Sequence, residues 1–585
     1  MKLRYILFSI FLLIFAVSLI ADDTTYVYAK QLNHFYSFGG NIRSFHSLKN
    51  LDIAAEISNN SSVYSETSRL KTLSNLKISL LYKLSDAVRI GPAGNYYSLR
   101  DGQTYNAYDY DKSKIGILGK YISNDYTASL QTGYSGERRL GIYDSGWHTN
   151  AEIYRQHNDS FFDPHLDWEF SQHGQRQNYT LNNRVSLGFE PESRLKNNFI
   201  AGFKLYHRDY YINTGGDTEE RLNTSAYFAN KLIYPLSDHV RLRHVIRFDL
   251  LRDGLNFAFN EEEVKRKRDQ LLLNNDIRLS GRFKNISAYT GFTNQYEQTR
   301  TSADNPNLIL PADYIFDKKN VVSGISWRLS DRDSVSIDYL GSLLYYDTPD
   351  SNNYDDRDEL TYSITPKWTH QLAPYTRISV SFNSYLHHYV YLFHQRSARN
   401  HWNRIFTLKS RLSLNVPDKI TWVSSHDIYS NYFVYDYGDS SFIHVQSMVF
   451  RGFRLRENLR INLSKKTFLK IIAYFRWEDN GILDWDDWIQ EITDSKYIIK
   501  LECMPGFRHK YLSLSAGPVF SRRRDFRYES NFERTPGYYS DRLGAAFNMI
   551  WGNSLYLTYR LERIDQTNRA IVYNQSGNLR WTFVF

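Results

Sequence analysis

The chain has very little sulfur, glycine and proline. One cysteine among 585 residues rules out an intramolecular disulfide framework and any zinc site built from several cysteines. Glycine (30) and proline (13) are too few for a collagen-like or a Gly-Pro-rich low-complexity chain. No linker, internal repeat or block of charge divides the sequence. Aromatic residues, by contrast, are abundant. Tyrosine (47), phenylalanine (35) and tryptophan (11) make up 16% of the chain, which excludes intrinsic disorder.

The first 21 residues have the pattern of a secretory leader. Lys2 and Arg4 give a positive start, and residues 6–20 are apolar except for two serines. We expect cleavage after Ala21, or alternatively after Ser18, so that residues 1–21 form a signal peptide and residues 22–585 a single barrel domain. The other interpretation is an uncleaved anchor, for which the apolar stretch is short. No later apolar run is long enough for a helical span, which leaves an exported soluble protein or a membrane β-barrel.

Apolar and polar residues alternate along most of the mature chain. In residues 126–135 one face carries Tyr126, Ala128, Leu130 and Tyr134, and the other carries small polar residues and glycine. The same period of two recurs in residues 199–206, 334–339, 377–383 and 554–562. Successive side chains of a strand point to opposite sides of a sheet, so this pattern predicts an all-β chain.

The connections between these segments predict an up-and-down barrel, because short turns alternate with long loops as in outer-membrane barrels. Examples of short turns are residues 84–86 and 331–333, and examples of long loops are Asp101–Ser113, Asp253–Gln270 and Glu478–Asp494. About 13 long loops, with both termini on the short-turn side, predict a single transmembrane antiparallel barrel of about 26 strands, with 24 as the next choice. Alternation begins near Thr25, so we also expect no plug domain before the first strand.

The last strand carries the most specific signal. Leu579, Trp581, Phe583 and Phe585 occupy alternate positions, and the last residue of the chain is aromatic. In this the sequence resembles the outer-membrane β-barrel proteins of Gram-negative-type bacteria, whose last strand ends in phenylalanine. The resemblance implies that these four residues form the assembly signal read by the barrel-folding machinery. It also implies outer-membrane lipid and lipopolysaccharide as surroundings, and the surplus of tyrosine and tryptophan fits the aromatic girdles of such barrels.

Basic residues cluster on faces that the alternation assigns to the lumen. These are Arg241, Arg243 and Arg247 in one segment, Lys409 and Arg411 in a second, and Arg454 and Arg456 in a third. In a water-filled lumen such residues favour anions, because rings of charge set the selectivity of a pore. The alternative is that they pair with lumen acids such as Asp249 and Glu502 and brace the wall.

The sequence thus favours a wide outer-membrane pore for a solute or polymer, because barrels of more than 16–18 strands enclose an aqueous channel. The pore is expected to favour anions if the basic residues line a water-filled lumen. Three alternatives stay open: an export or assembly barrel similar in size to the lipopolysaccharide-insertion barrel, a structural or adhesive barrel whose loops bind sugars or ions, and a secreted soluble β-protein. We expect no enzymatic activity, no catalytic residues, no metal site, no cofactor and no nucleic-acid partner. The substrate is not predicted.

Overall fold

The computed structural model describes most of the chain from residue 25 to residue 583. Outside the described residues lie 1–24, 33–34, 65–68, 102–107, 156–161, 175, 190–194, 213–216, 260–261, 305–312, 351–352, 438–445, 485–488, 529–533, 553–554, 568–569 and 584–585. The predicted signal peptide and Phe585 therefore fall outside the described part.

The chain forms strands at almost every described position. The first half contains β1 (Thr25–Leu32), β2 (Phe35–Ser47), β3 (Leu51–Tyr64), β4 (Arg69–Lys83), β5 (Val88–Asp101), β6 (Tyr108–Ile122), β7 (Tyr126–Arg139), β8 (Ile142–Arg155), β9 (Phe162–His173), β10 (Arg176–Phe189), β11 (Lys196–Tyr211), β12 (Thr218–Pro235), β13 (Val240–Phe259) and β14 (Glu262–Phe283). The second half contains β15 (Ile286–Ala303), β16 (Tyr314–Arg328), β17 (Asp333–Asp347), β18 (Arg357–Ala373), β19 (Thr376–Tyr391), β20 (His401–Val416), β21 (Ile420–Tyr435), β22 (Met448–Asn462), β23 (Thr467–Asp484), β24 (Ile489–His509), β25 (Leu512–Tyr528), β26 (Arg534–Trp551), β27 (Leu555–Gln566) and β28 (Val572–Phe583). One short helix, α1 (His394–Ser397), lies between β19 and β20.

All of these strands belong to one closed antiparallel sheet. Each strand pairs with the next one along the chain, and β1 pairs with β28 from Thr25 opposite Phe583 to Leu32 opposite Ser576. Closure removes both sheet edges and satisfies the backbone hydrogen bonds of every strand. Within the described residues, no helix is long and apolar enough to cross a membrane.

The sheet has 28 strands, so the expected 26, and the second choice of 24, are wrong. The count fails because not every connection at the loop end is long. β7 and β8 are joined by Leu140 and Gly141 alone, both with positive φ (52° and 83°), as in the tight type I′ hairpin. In addition, the expected loop Asp253–Gln270 is mostly the continuation of β13 and β14. The start of β14 does not show the alternation of a strand in the sequence, because every residue from Glu262 to Asp269 is charged except Val264.

The outer surface carries an apolar belt where a soluble protein would carry its polar face. Ile115 and Ile117 of β6 are 66% and 58% exposed, and Leu130 and Tyr134 of β7 are also exposed. Their neighbours in sequence point to the concave side. Few apolar side chains are buried anywhere in the described residues, since a wide barrel has no central core. Such a surface is stable against lipid rather than water, which defines a membrane barrel.

One carboxylate interrupts this belt. Glu457 of β22 lies on the outward face between Leu455 and Leu459, and its two oxygens accept hydrogen bonds from Trp422 Nε1 and Ser424 Oγ, each at 2.6 Å. Charged groups on a lipid-facing surface lower stability, so the two donors compensate part of this loss.

Candidate conduit and its lining

The number of strands sets the width of the lumen. With strands about 4.8 Å apart and tilted by about 40°, a circular barrel of 28 strands is about 55 Å across, backbone to backbone. Side chains cannot fill a cylinder of this width, because a barrel of about eight strands is already the size that they fill. The function of the barrel therefore depends on the side chains that line the wall of the lumen.

The three arginines predicted on β13 lie on one face of that strand, the face that also carries Asp249. Arg247 donates to Asp249 through Nε and Nη2 at 2.7 and 2.8 Å, so its charge is compensated within the strand. Arg243 lies 3.9 Å from the carboxylate of Asp276 on β14. Arg241 forms no ion pair within the described residues and lines a concave part of the wall of about 1070 Å³.

The predicted residues of β20 and β22 lie close together, with β21 between them. The strand register places Lys409, Asp427 and Arg454 in one row across the three strands, and Arg411, Ser425 and Arg456 in the next. Lys409 and Arg411 make no ion pair within the described part of the chain. The three arginines of β13 are seven strands from β20, so the structure divides the predicted basic cluster into two separate parts.

Arg454 belongs to a compact ionic group that includes residues not foreseen from the sequence. Its guanidinium lies 3.9 Å from Glu478 on β23, which also binds Lys496 at 2.9 Å and accepts hydrogen bonds from Arg476 and Tyr429. Arg456 lies over the ring of Tyr474, 5.7 Å from its centroid. The expected acid Glu502 pairs with a different arginine, Arg560 of β27.

A larger group of polar residues fills the inside of the wall between β6 and β11. Arg176 of β10 donates to Glu137 of β7 at 3.0 Å and to Asp144 of β8 at 2.7 Å, and its side chain is only 2% exposed. Lys112 and Lys114 of β6 reach Glu169 of β9 at 3.2 and 2.6 Å. Such contacts join strands two or three apart and are possible only on the concave side of a strongly bent sheet. We call strands β6–β11 the folded lobe.

The two edge strands of the folded lobe come into direct contact. Arg208 of β11 donates from Nη2 to the hydroxyl of Tyr110 on β6 at 2.8 Å. Five inter-strand spacings amount to about 24 Å along the wall, which exceeds the reach of the two side chains. The wall must therefore fold over, and the lobe is filled with side chains that include the buried imidazoles of His148 and His173.

Glycines on the inward face allow this fold. Gly116 of β6 and Gly133 of β7 are directly opposite each other, and a Cβ atom at Gly133 would lie 2.1 Å from the backbone oxygen of Ile115. No larger residue fits where the backbones approach so closely. A second bend occurs at β24–β27, where a Cβ at Gly517 would lie 1.8 Å from the oxygen of Cys503 and where Met504, Val519 and Ala546 are buried together.

The end of the folded lobe lies beyond the apolar belt, and its charges are held in fixed states. Burial alone would raise the pKa of Glu137, but the guanidinium groups of Arg208 and Arg176 outweigh it and hold this pKa below its usual value. Burial lowers the pKa of His173 to about 4, so its imidazole is neutral at pH 7 and forms a hydrogen bond of 2.6 Å with Ser135 Oγ. The group therefore combines fixed ion pairs with neutral histidine.

Aromatic and guanidinium planes form a continuous stack on the inward face of β16–β21. Its members, in order across the strands, are Tyr314, Tyr346, Arg357, Tyr389, His401 and Phe433, with successive separations of 5.7, 4.2, 5.4, 5.3 and 4.1 Å. Because each plane covers the next, the stack stiffens the wall and presents ring edges to the lumen. The sequence shows this only as an excess of tyrosine, since the six residues come from six different strands.

The C-terminal strand closes the barrel. Leu579, Trp581 and Phe583 of β28 lie opposite Ala29, Val27 and Thr25 of β1. The role of this strand as an assembly signal stays a prediction.

The chain is similar to known proteins in its general architecture. No protein-family model and no curated protein matches the chain. Among solved structures, it is similar to the copper transporter OprC (10% identity, 81% of this chain and 86% of that chain covered, TM-score 0.40). It is also similar to the alcaligin outer membrane receptor FauA from Bordetella pertussis (10% identity, 84% and 81% covered, TM-score 0.40). The ferric-catecholate import receptor Fiu from K12 E. coli is a further match (9% identity, 96% and 82% covered, TM-score 0.41).

The closed sheet, the apolar belt and the two ends of the barrel define the class: the chain is a large outer-membrane β-barrel. The expectation that no plug domain precedes the first strand concerns residues 1–24, which lie outside the described residues, and it is not kept.

Proposed function

We propose that the barrel is a conduit for hydrophilic solutes or a polymer across the outer membrane. The observation that carries this proposal is the closed 28-stranded wall, whose concave face bears ionised and polar side chains on every part described above. An apolar outer face and a polar inner face are the two surfaces that an aqueous pore through lipid requires.

We further propose that the pore weakly favours anions. Arg247, Arg243 and Arg454 face Asp249, Asp276 and Glu478, so their charges are largely compensated. Lys409 and Arg411 form no ion pair in the described residues; Asp427 lies opposite Lys409 in the strand register, whereas Ser425 lies opposite Arg411. Charges on a pore wall that no acid compensates control which ions enter. The net charge of +9 has the same sign.

The test is conductance of the refolded full chain in a planar bilayer, with the reversal potential measured under a salt gradient. We expect large, steady conductance and a reversal potential of the sign that an anion preference gives. Lys409→Gln together with Arg411→Gln should move the reversal potential towards zero. The matched control, Arg247→Gln with Asp249→Asn, removes one charge of each sign and should leave it unchanged.

Two outcomes would contradict the proposal in different ways. A protein that is folded, as shown by heat-modifiable mobility on a gel, but does not conduct would refute the open conduit. Conductance with equal shifts in both variants would leave the conduit standing and refute the assignment of selectivity to Lys409 and Arg411.

A further inference from the structure

One row of the lumen wall, across strands β20–β26, alternates cations with hydroxyl groups. The strand register places seven residues opposite one another in turn: Arg411, Ser425, Arg456, Tyr474, Lys500, Ser521 and Arg542. Their side chains point to the concave face, because the residues of opposite parity, such as Leu408, Ile499 and Leu543, are exposed on the outside. We call these seven residues the alternating row.

The four cations of the alternating row have no carboxylate within the row, and none of them forms an ion pair among the described residues. Arg456 and Lys500 lie against the ring of Tyr474, with Cζ of the arginine 5.7 Å and Nζ of the lysine 5.8 Å from its centroid. A cation–π contact positions a cation but does not neutralise it. The row therefore presents positive charge to the lumen.

The acids in the two adjoining rows of β20–β27 are occupied by other cations. These acids are Asp427, Glu502 and Glu562. Glu502 pairs with Arg560, which also lies 3.8 Å from Glu562. Asp427 lies in the register directly between two cations of its own row, Lys409 and Arg454. The positive charge of the alternating row is thus not cancelled from either side.

The alternating row follows a path along the barrel rather than around it. Strands of a barrel are tilted by about 40°, so a row perpendicular to them is oblique to the barrel axis by a comparable amount. Arg411 lies five residues before the end of β20 at Val416, and Arg542 lies nine residues before the end of β26 at Trp551. Six inter-strand spacings give the row a length of about 29 Å, with neighbouring cations about 10 Å apart along the wall.

This spacing favours a polymer over a small anion. A small anion contacts one cation at a time, whereas a linear polymer with repeated acid groups contacts several, and each contact after the first is intramolecular. Guanidinium groups bind carboxylates through parallel donors, and serine and tyrosine hydroxyls both donate and accept hydrogen bonds. A polyphosphate carries a charge on every unit, whereas an acidic polysaccharide carries hydroxyl groups between its carboxylates, as the alternating row requires.

We propose that the alternating row binds an acidic polysaccharide, a linear sugar polymer with carboxylate groups, along the wall of the lumen. The carboxylates contact Arg411, Arg456, Lys500 and Arg542, and the sugar hydroxyls contact Ser425, Tyr474 and Ser521. This inference rests on the proposed conduit, because it names the class of polymer that the conduit carries.

The experiment measures binding of a fluorescently labelled linear oligogalacturonate to the refolded full chain in detergent, by fluorescence anisotropy. We expect Arg456→Gln, Lys500→Gln and Arg542→Gln together to weaken binding at least tenfold. The matched control is Arg266→Gln, Arg278→Gln and Arg282→Gln, which removes three charges from the lumen face of β14 and should change binding less than twofold. The same oligomer with its carboxylates methyl-esterified should bind the wild-type protein at least tenfold more weakly.

Several results would overturn the proposal. Equal losses in the two triple variants would show that net charge rather than the row attracts the polymer, and equal binding of the esterified oligomer would exclude recognition of carboxylates. Monomeric galacturonate that displaces the oligomer at an equal concentration of sugar units would assign the row to small anions, and polyphosphate that binds as tightly would exclude a preference for sugar.

Binding in detergent is independent of conduction, so the two proposals can fail separately. A protein that conducts but does not bind the oligomer would refute the polysaccharide and leave the conduit, whereas one that binds without conducting would refute the conduit. Heat-modifiable mobility on a gel shows that each variant is folded. If the first triple variant does not fold, Lys500→Gln alone should still weaken binding at least twofold, whereas Lys500→Arg should not.

Discussion

The ion pairs inside the folded lobe give the sharpest prediction on stability, and Arg176→Met is the substitution that tests it. Arg176 contributes two hydrogen bonds to acids, at 3.0 Å to Glu137 and at 2.7 Å to Asp144. Glu137 is 1% exposed, so water cannot replace the lost donor there. Methionine reaches only as far as the Nε position of arginine, but it keeps the packing of the aliphatic part of the side chain.

The expected loss follows from what each acid retains. Removing one partner of a buried ion pair costs about 3–5 kcal/mol. Glu137 keeps Arg208 at 3.7 Å and the hydroxyl of Tyr110 at 3.4 Å, and Asp144 keeps the hydroxyl of Tyr211 at 2.7 Å. These remaining donors place Arg176→Met at the lower end of the range, a decrease of about 3 kcal/mol in the free energy of unfolding.

The measurement is urea-induced unfolding of the protein in phosphatidylcholine vesicles, followed by tryptophan fluorescence and by mobility on a gel. A matched control is Arg184→Met on the same face of the same strand, where the arginine is 46% exposed and lies 3.6 Å from Asp163. An exposed pair of this kind is worth at most about 1 kcal/mol. Equal losses in the two variants, or strictly additive effects of Arg176→Met and Glu137→Gln, would refute the idea that the lobe is held by a buried ionic network.

Four further results are expected. Deletion of Phe585 should lower the amount of protein in the outer membrane, measured by fractionation and immunoblot, because Phe585 is the last of the four alternate apolar residues predicted to form the assembly signal. Gly133→Val should prevent assembly, whereas Gly254→Ala, where a Cβ has no atom closer than 3.5 Å, should assemble normally in the same assay. Glu457→Leu should be no more stable than Glu457→Gln in urea unfolding, because leucine leaves two hydrogen-bond donors without an acceptor. Since the pKa of His173 in the folded state is about 4, below its usual value, folding stability should fall as the pH drops from about 6.5 towards 4, and His173→Gln should flatten this dependence.

The all-β character could be predicted because alternation has a direct physical cause, the two faces of a strand between lipid and water. The same cause explains where prediction fails. At the start of β14 every residue from Glu262 to Asp269 is charged except Val264, so the alternation that marks a strand is absent there. The hairpin at Leu140 and Gly141 is too short to be recognised as an outer loop, so one pair of strands was missed.

Contacts within the lumen could be predicted only where they are local. Arg247 and Asp249 are two positions apart on one strand, and the alternation alone places both on the same face. Tyr110 and Arg208 are 98 residues apart in the sequence, and their contact depends on how far the wall bends. That bend rests on backbone contacts at Gly116 and Gly133, and a glycine within an alternating segment does not by itself show which backbone it will approach.

The folded lobe changes the size of the lumen that a solute meets. The contact of Arg208 with Tyr110 joins β6 to β11, so at that level the open perimeter corresponds to about 22 of the 28 strands. With the same spacing and tilt, 22 strands give about 44 Å across, backbone to backbone, in place of about 55 Å. Conductance should therefore match the narrower width, and a variant that opens the lobe, such as Arg208→Ala with Tyr110→Phe, should conduct more. An unchanged conductance in a folded variant of this kind would mean that the lobe does not narrow the path.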